Sequence, residues 1–216
     1  MHKLCYCTIV LCMDRDELIR QLREDKKMLK DERLFKAFKA VDRARFLHED
    51  YKPEAYEDYA LPIGLEQSTL KPATIAFMLE LLDAQEGEQV LVVGAGSGFT
   101  VALLSELVGT SGSVVGVEIV PELVRWAKAN LESLDLANIE IVEAVEDIGY
   151  PKLAPYDRIM VTAATTEEIP EELLLQLKPS GILVIPIDNT LVQVRKVSEA
   201  DFETKEFPGF DFDTLK

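Results

Sequence analysis

Residues 90–98, VLVVGAGSG, constrain the fold of this chain more than any other stretch. Val90, Leu91, Val92 and Val93 are too few for a helix and mostly β-branched, so they read as a buried strand. Gly94, Gly96 and Gly98 follow at every second position, and the helix-period run FTVALLSELV begins at Phe99. A strand, a glycine turn and a helix in succession make a nucleoside- or phosphate-binding element in open α/β sheets. Glycine allows the sharp turn and lets a ligand approach where a β-carbon would block it. Gly94, Ala95, Gly96, Ser97 and Gly98 are therefore the first candidate binding stretch.

The spacing is G-x-G-x-G, not the G-x-G-x-x-G of dinucleotide folds, and no G-K-[ST] follows for a P-loop. Glu118 ends a second strand-like run, VVGVE, 20 residues after Gly98. A carboxylate there can accept hydrogen bonds from both ribose hydroxyls of a nucleoside. The tighter glycine spacing together with that acid points to S-adenosylmethionine. A glycine turn that only closes a βα unit is the competing reading.

Downstream, strands and helices alternate. VPELVRWAKANLESL reads as an amphipathic helix with Pro121 in its first turn, and Trp126 on it reads as core rather than as a platform for adenine. NIEIVEA and DRIMVTAA read as strands, EIPEELLLQL as a helix stopped by KPSG, and ILVIPI as a fifth strand. TLVQVRKV adds a further strand, paired antiparallel, and the tail adds at most an edge. The expectation is a doubly wound, mostly parallel α/β sheet with helices on both faces.

Composition narrows the function. With 39 acids against 23 bases the net charge is −16, which lacks the cationic footprint that holds nucleic acid. Cys5, Cys7 and Cys12 crowd one end, so neither a disulfide framework nor a metal site is expected, and the cytoplasm is the expected compartment. The opening MHKLCYCTIVLCM resembles a short signal peptide but lacks a small-residue cleavage site and is too short to span a bilayer. Residues 1–13 are expected to be an extension, with translation starting at Met13. Residues 14–216 are expected to form a single domain, a helical cap over about 14–64 and a core over about 65–197.

Within the cap, Asp14 or Asp31 would start helices spanning 14–41. Residues 41–64 are irregular, and His48 in them reads as structural or solvated. Ser68 and Thr69 precede Pro72 and admit two readings: capping of the helix ATIAFMLELL, which local sequence favours, or lining the cleft, where a hydroxyl orients a carboxylate.

Three stretches together resemble one family, the protein-L-isoaspartate O-methyltransferases: VDRARFLHEDYKPEAYEDYALPIG, VLVVGAGSGFTVALLSELVG and APYDRIMVTAATTEEIPEELLLQLKPSGILVIPI. The likeness spans about residues 34–187. LPIG, P-Y-D-x-I-x-V-T-A-A and I-P-E carry it; class I methyltransferases in general share the glycine loop. The resemblance implies a Rossmann-like methyltransferase fold. It also implies methyl transfer from S-adenosylmethionine to the free carboxylate of L-isoaspartyl residues in damaged proteins or peptides, as a repair reaction. Carried over by position, Gly94, Gly96 and Gly98 pass under the methionine part of the cofactor, Glu118 holds the ribose, and Ile119 packs on adenine.

The chain also departs from that family's pattern. An acid two residues before the first glycine is replaced by Val92, and a Gly-Asp-Gly that meets the adenine amine falls on Ala144, Val145 and Glu146. Glu146 is the nearest substitute, so Val145 and Glu146 complete the candidate cofactor residues. The family's Gln-Thr-Ile-Ser becomes Gln67, Ser68, Thr69, Leu70, so the serine regarded as catalytic is a leucine and Ser68 and Thr69 are the substitute hydroxyls. Three readings stand on these residues: an isoaspartyl methyltransferase, a methyltransferase with a changed substrate, or a non-catalytic peptide-binding relative.

Overall fold

The computed structural model describes residues 13–134, 136–144, 148–165, 168–210 and 212. The expected N-terminal extension, apart from Met13, and the candidate residues Val145 and Glu146 lie outside the described residues.

The chain opens with α1 (Arg15–Arg20), prolonged by a π-helical turn over Gln21–Asp25, and α2 (Glu32–Ala40). Each starts where an aspartate captures a free backbone donor, Asp14 from Glu17 N–H at 2.9 Å and Asp31 from Arg33 N–H at 2.8 Å. Short 3₁₀ turns at Arg43–Phe46 and Glu49–Glu54 lead to a small antiparallel hairpin, β1 (Pro62–Gly64) and β2 (Gln67–Ser68). Then come α3 (Pro72–Leu82), β3 (Gln89–Val93), α4 (Phe99–Val108), β4 (Ser113–Glu118), α5 (Pro121–Glu132) and β5 (Ile139–Glu143). The chain continues with β6 (Tyr156–Val161), α6 (Glu171–Leu175), β7 (Leu177–Ile187), β8 (Thr190–Lys196) and β9 (Phe202–Pro208).

The main sheet runs β5-β4-β3-β6-β7-β8-β9. The pairs from β5 through to β7 are parallel, and β8 and β9 add on antiparallel, as expected for TLVQVRKV. Successive strands move outward from β3 through β4 to β5, then cross back to β6 on its other side. That reversal opens a crevice at the carboxyl ends of β3 and β6, where open α/β sheets bind ligands.

Strand alternation divides the core cleanly. Val90, Val92, Val114, Met160, Ile182 and Val184 join the cluster holding α1–α5, whereas Leu91, Val93, Val115, Ile159, Val161, Leu183 and Ile185 face the side covered by α6. Both faces are therefore buried, which is why these strands read as unbroken apolar runs. Leu18, Ile19, Leu22, Leu34, Ala37 and Phe38 from α1, its π-helical turn and α2 share the first cluster with α3 and α4, so the N-terminal helices cover one face of the sheet.

Two expectations are corrected. KPSG does not stop a helix: α6 ends at Leu175, and Lys178–Gly181 fall inside β7 as an irregularity in its pairing with β6. Gly181 fits there because a β-carbon would stand 2.8 Å from the Lys178 carbonyl and 2.9 Å from that of Asp157. Neither Ser68 nor Thr69 caps α3. Its N-cap is Lys71, and the Ala73 N–H is taken at 2.8 Å by Asp58, fifteen residues earlier. Asp58 also pairs with Lys26 at 2.8 Å. We expect Asp58→Ala to lower unfolding stability by about 1–2 kcal/mol, the scale of a lost cap, with Asp58→Asn recovering most of it. Urea midpoints measure this, and an unshifted midpoint for the alanine variant contradicts the long-range cap.

Candidate functional site

The turn after β3 is held from both sides. Gly94 N–H and Ala95 N–H both donate to the Val117 carbonyl of β4 at 2.9 Å, and the Thr162 hydroxyl, just past β6, donates to the Gly94 carbonyl at 2.6 Å. Gly94 has a φ of +87°, and a β-carbon there would collide with that hydroxyl, so both backbone angle and space demand glycine. Ser97 is buried and its carbonyl accepts from Asn130 at 2.9 Å, which ties the turn to α5. Gly98 is the N-cap of α4.

Glu118, the last residue of β4, reaches back to this turn. One carboxylate oxygen accepts from Gly96 N–H at 2.8 Å and the other from Val120 N–H at 3.0 Å, in a site only 7% exposed. A carboxylate has about four acceptor directions, so two remain for a ligand. Beside it Ile119 is 50% exposed, an apolar surface open to a flat ring. The Ala144 N–H donates to the Glu118 carbonyl at 2.9 Å, which brings the exit of β5 to the same edge.

The irregular segment before α3 lies over the turn. Ile63 of β1 is the nearest neighbour a β-carbon at Gly96 would meet, at 3.3 Å. The Ile63 carbonyl accepts from His48 Nε2 at 3.2 Å, and the His48 ring stacks on Trp126 of α5 at 4.2 Å and 9°. His48 is thus a structural clamp between the hairpin and the helix after Glu118. Trp126 is part of that clamp.

Arg43 organises the rest of the segment. It is 3% exposed, and its terminal nitrogens reach the carbonyls of Ala55, Glu57, Tyr59 and Leu70 at 2.8–3.4 Å and the Thr69 hydroxyl at 2.8 Å. Burial lowers its pKa to about 10, opposed by the negative charge of Asp58, so it stays a cation at neutral pH. Thr69 Oγ1 also accepts from Leu61 N–H at 3.1 Å, and Thr69 N–H donates to the Leu61 carbonyl at 2.8 Å. Both acceptor directions of the Thr69 hydroxyl are used by the protein itself. Ser68, on β2, is half-buried, and the Leu70 side chain packs against the core built by α1–α4.

The fold thus gathers Gly94–Gly98, Glu118 and Ile119 at one edge of the sheet. Ser68 and Thr69 belong to the β1–β2 hairpin whose Ile63 lies over Gly96. Sequence reasoning missed Arg43, Ile63 and Thr162. The tyrosine-rich irregularity of 41–64 hints that something unusual must satisfy its carbonyls. Among the described residues no His, Cys, Asp and Glu cluster could hold a metal, and no helix is long and apolar enough to cross a membrane. We expect Arg43→Met, which strands four buried or part-buried carbonyls, to lower stability by about 3 kcal/mol or more. Urea unfolding tests this, and a variant as stable as the parent contradicts the role of Arg43 as organiser.

Comparison with known proteins gives a consistent result. The family model described as protein-L-isoaspartate(D-aspartate) O-methyltransferase matches residues 13–214. Protein-L-isoaspartate O-methyltransferase 2 of Archaeoglobus fulgidus is 40% identical over 205 residues, 94% of this chain and 92% of that protein. The enzyme of Methanothrix thermoacetophila is 44% identical over 175 residues, 81% of each chain. Among solved structures, a protein-L-isoaspartate O-methyltransferase superposes with a TM-score of 0.84 at 28% identity, over 94% of this chain and 66% of that longer one. A putative member from Plasmodium falciparum, solved in complex with S-adenosyl-L-homocysteine, shares the fold at TM-score 0.81 and 22% identity, over 94% of this chain and 99% of that one.

Proposed function

Because the chain belongs to the protein-L-isoaspartate(D-aspartate) O-methyltransferase family, we propose that the edge formed by β3, β4 and β6 holds S-adenosylmethionine and presents its methyl group to an isoaspartyl carboxylate. Membership makes it an S-adenosylmethionine-dependent enzyme acting on isoaspartyl-containing proteins. Residues 14–216 act as one unit in this reading, 14–64 capping 65–197, supported by the apolar core that α1 and α2 share with the sheet. The cytoplasm is its proposed place of action, supported by the absence of a disulfide framework in the sequence.

One observation carries the cofactor assignment. Glu118 is nearly buried, prealigned by Gly96 and Val120 N–H groups, and keeps two acceptor directions beside exposed Ile119. That donor-acceptor pattern suits a ribose next to a flat apolar ring. In this reading Gly94–Gly98 serve the methionine part, and Val145 and Glu146 remain the residues proposed from the sequence for the adenine amine. When bound, the cofactor supplies an electrophilic methyl group on a sulfonium.

The residues need not supply a base. The accepting carboxylate is already an anion at pH 7. The task of the protein is alignment, where effective-molarity effects reach about 7–11 kcal/mol. Leu70 brings no hydroxyl, and a missing hydrogen bond of this kind costs about 1–3 kcal/mol, which slows turnover without abolishing it. Ser68 is the proposed hydroxyl on the substrate side. Thr69, whose oxygen accepts from Arg43 and Leu61 and is thereby oriented, is proposed as a second hydroxyl whose O–H can donate to the same carboxylate.

Incubation with methyl-labelled S-adenosylmethionine and an isoaspartyl peptide should place base-labile label on that peptide and not on its aspartyl twin. Equal labelling, or none, overturns the assignment. Glu118→Ala should weaken S-adenosylhomocysteine binding by about tenfold or more in calorimetry, roughly 1.4 kcal/mol. An unaltered affinity contradicts its ribose role.

A further inference from the structure

One side of the main sheet is left open. Among the described residues β9 ends the strand order, paired with β8 and with nothing beyond it. Every residue of Phe202–Pro208 except Phe207 is exposed. The ladder shows which backbone groups are free. In antiparallel pairing, opposite residues alternate between pairs that exchange N–H and C=O bonds and pairs whose groups point away. Gly209 N–H donates to the Asn189 carbonyl at 3.0 Å and Val197 N–H to the Asp201 carbonyl at 2.8 Å. Both contacts continue the register that sets Thr190 opposite Pro208 and Lys196 opposite Phe202. Glu203, Lys205 and Phe207 therefore spend their backbone groups on β8, while Phe202, Thr204 and Glu206 turn theirs outward. Pro208, next in that series, has no N–H and closes the free ladder at its end. Thr204 is the centre of what remains.

We propose that β9 pairs antiparallel with β9 of a second copy of this chain, about a two-fold axis through Thr204. In that register Thr204 meets its own counterpart and Phe202 meets Glu206, so the outward N–H and C=O groups of all three residues are satisfied on both copies. Glu203 then falls opposite Lys205 on each side of the axis. Those are the closely spaced, non-bonded pairs of the new ladder, where opposite charges on facing side chains attract. Neither Glu203 nor Lys205 has an ion-pair partner within the chain among the described residues.

The charges also reject the neighbouring registers. An axis through Glu203 or through Lys205 sets like charges face to face and engages only two of the three outward residues. A lysine on an edge strand usually guards against pairing with another chain. Here a glutamate two residues away answers it, so the strand is its own complement, which is why a second copy fits better than an unrelated extended segment. The net charge of −16 opposes association, yet charges more than roughly 8 Å apart are largely screened at physiological salt. One pair of short strands is a small contact beside the roughly 1,200–2,000 Å² of stable interfaces, so the dimer is weak and concentration-dependent.

Sedimentation velocity at physiological salt tests this on the full chain. From about 10 μM to about 1 mM protein the parent should show a rising fraction of dimer. Glu203→Lys and Lys205→Glu should each weaken dimerisation by about tenfold or more. The variant carrying both restores opposite charges across the axis and should dimerise nearly as well as the parent. Thr204→Pro should abolish the dimer, and because the Thr204 N–H faces outward it loses no bond to β8; a urea midpoint near the parent's checks its fold. A parent that stays monomeric throughout, a double variant no better than either single one, or a folded Thr204→Pro that dimerises like the parent overturns the proposal.

Discussion

A buried guanidinium holds the segment over the candidate site in shape. Residues 41–71 make few regular hydrogen bonds, yet they must lie against an apolar core, where unpaired carbonyls are costly. Arg43 solves this by gathering carbonyls from Ala55, Glu57, Tyr59 and Leu70 and the hydroxyl of Thr69 around one planar cation. With that segment fixed, Ile63 comes to rest against the glycine turn, and His48 closes it onto α5 through Trp126. The sheet supplies the edge; Arg43 supplies the roof.

The sheet side of the site rests on reciprocal contacts between neighbouring strands. Val117 of β4 receives two donors from the turn after β3, Thr162 after β6 donates to the Val93 and Gly94 carbonyls, and Glu118 reaches back to Gly96. The turn is thus preorganised before any ligand binds, so less conformational entropy is lost on binding. Prealignment of this kind suits a reaction in which positioning carries the rate.

Much of this was legible in the chain. Unbroken valine-rich runs marked the strands, the glycine spacing and Glu118 pointed to the candidate binding edge, and Asp14 and Asp31 announced their helices. What escaped was determined by contacts distant in sequence. Asp58 caps α3 across fifteen residues, while Ser68 and Thr69 sit where a local cap would be expected. KPSG carries turn residues, yet the pairing of β6 with β7 draws it into a strand. Arg43 lies in an irregular run with no period, and its acceptors are main-chain carbonyls, which leave no trace in residue identity.

The central claim is that this cleft works by alignment and needs no general base, which is why Leu70 is tolerable where a hydroxyl would otherwise stand. His48, the one imidazole among the described residues, is engaged with Ile63 and Trp126. Single-turnover methylation of an isoaspartyl peptide, followed from about pH 5.5 to about pH 8.5, tests this most directly. The account predicts a rate that stays level across that range, because the accepting carboxylate is ionised throughout. A rate that climbs with pH through roughly 6 to 7, the signature of a titrating base, would contradict it.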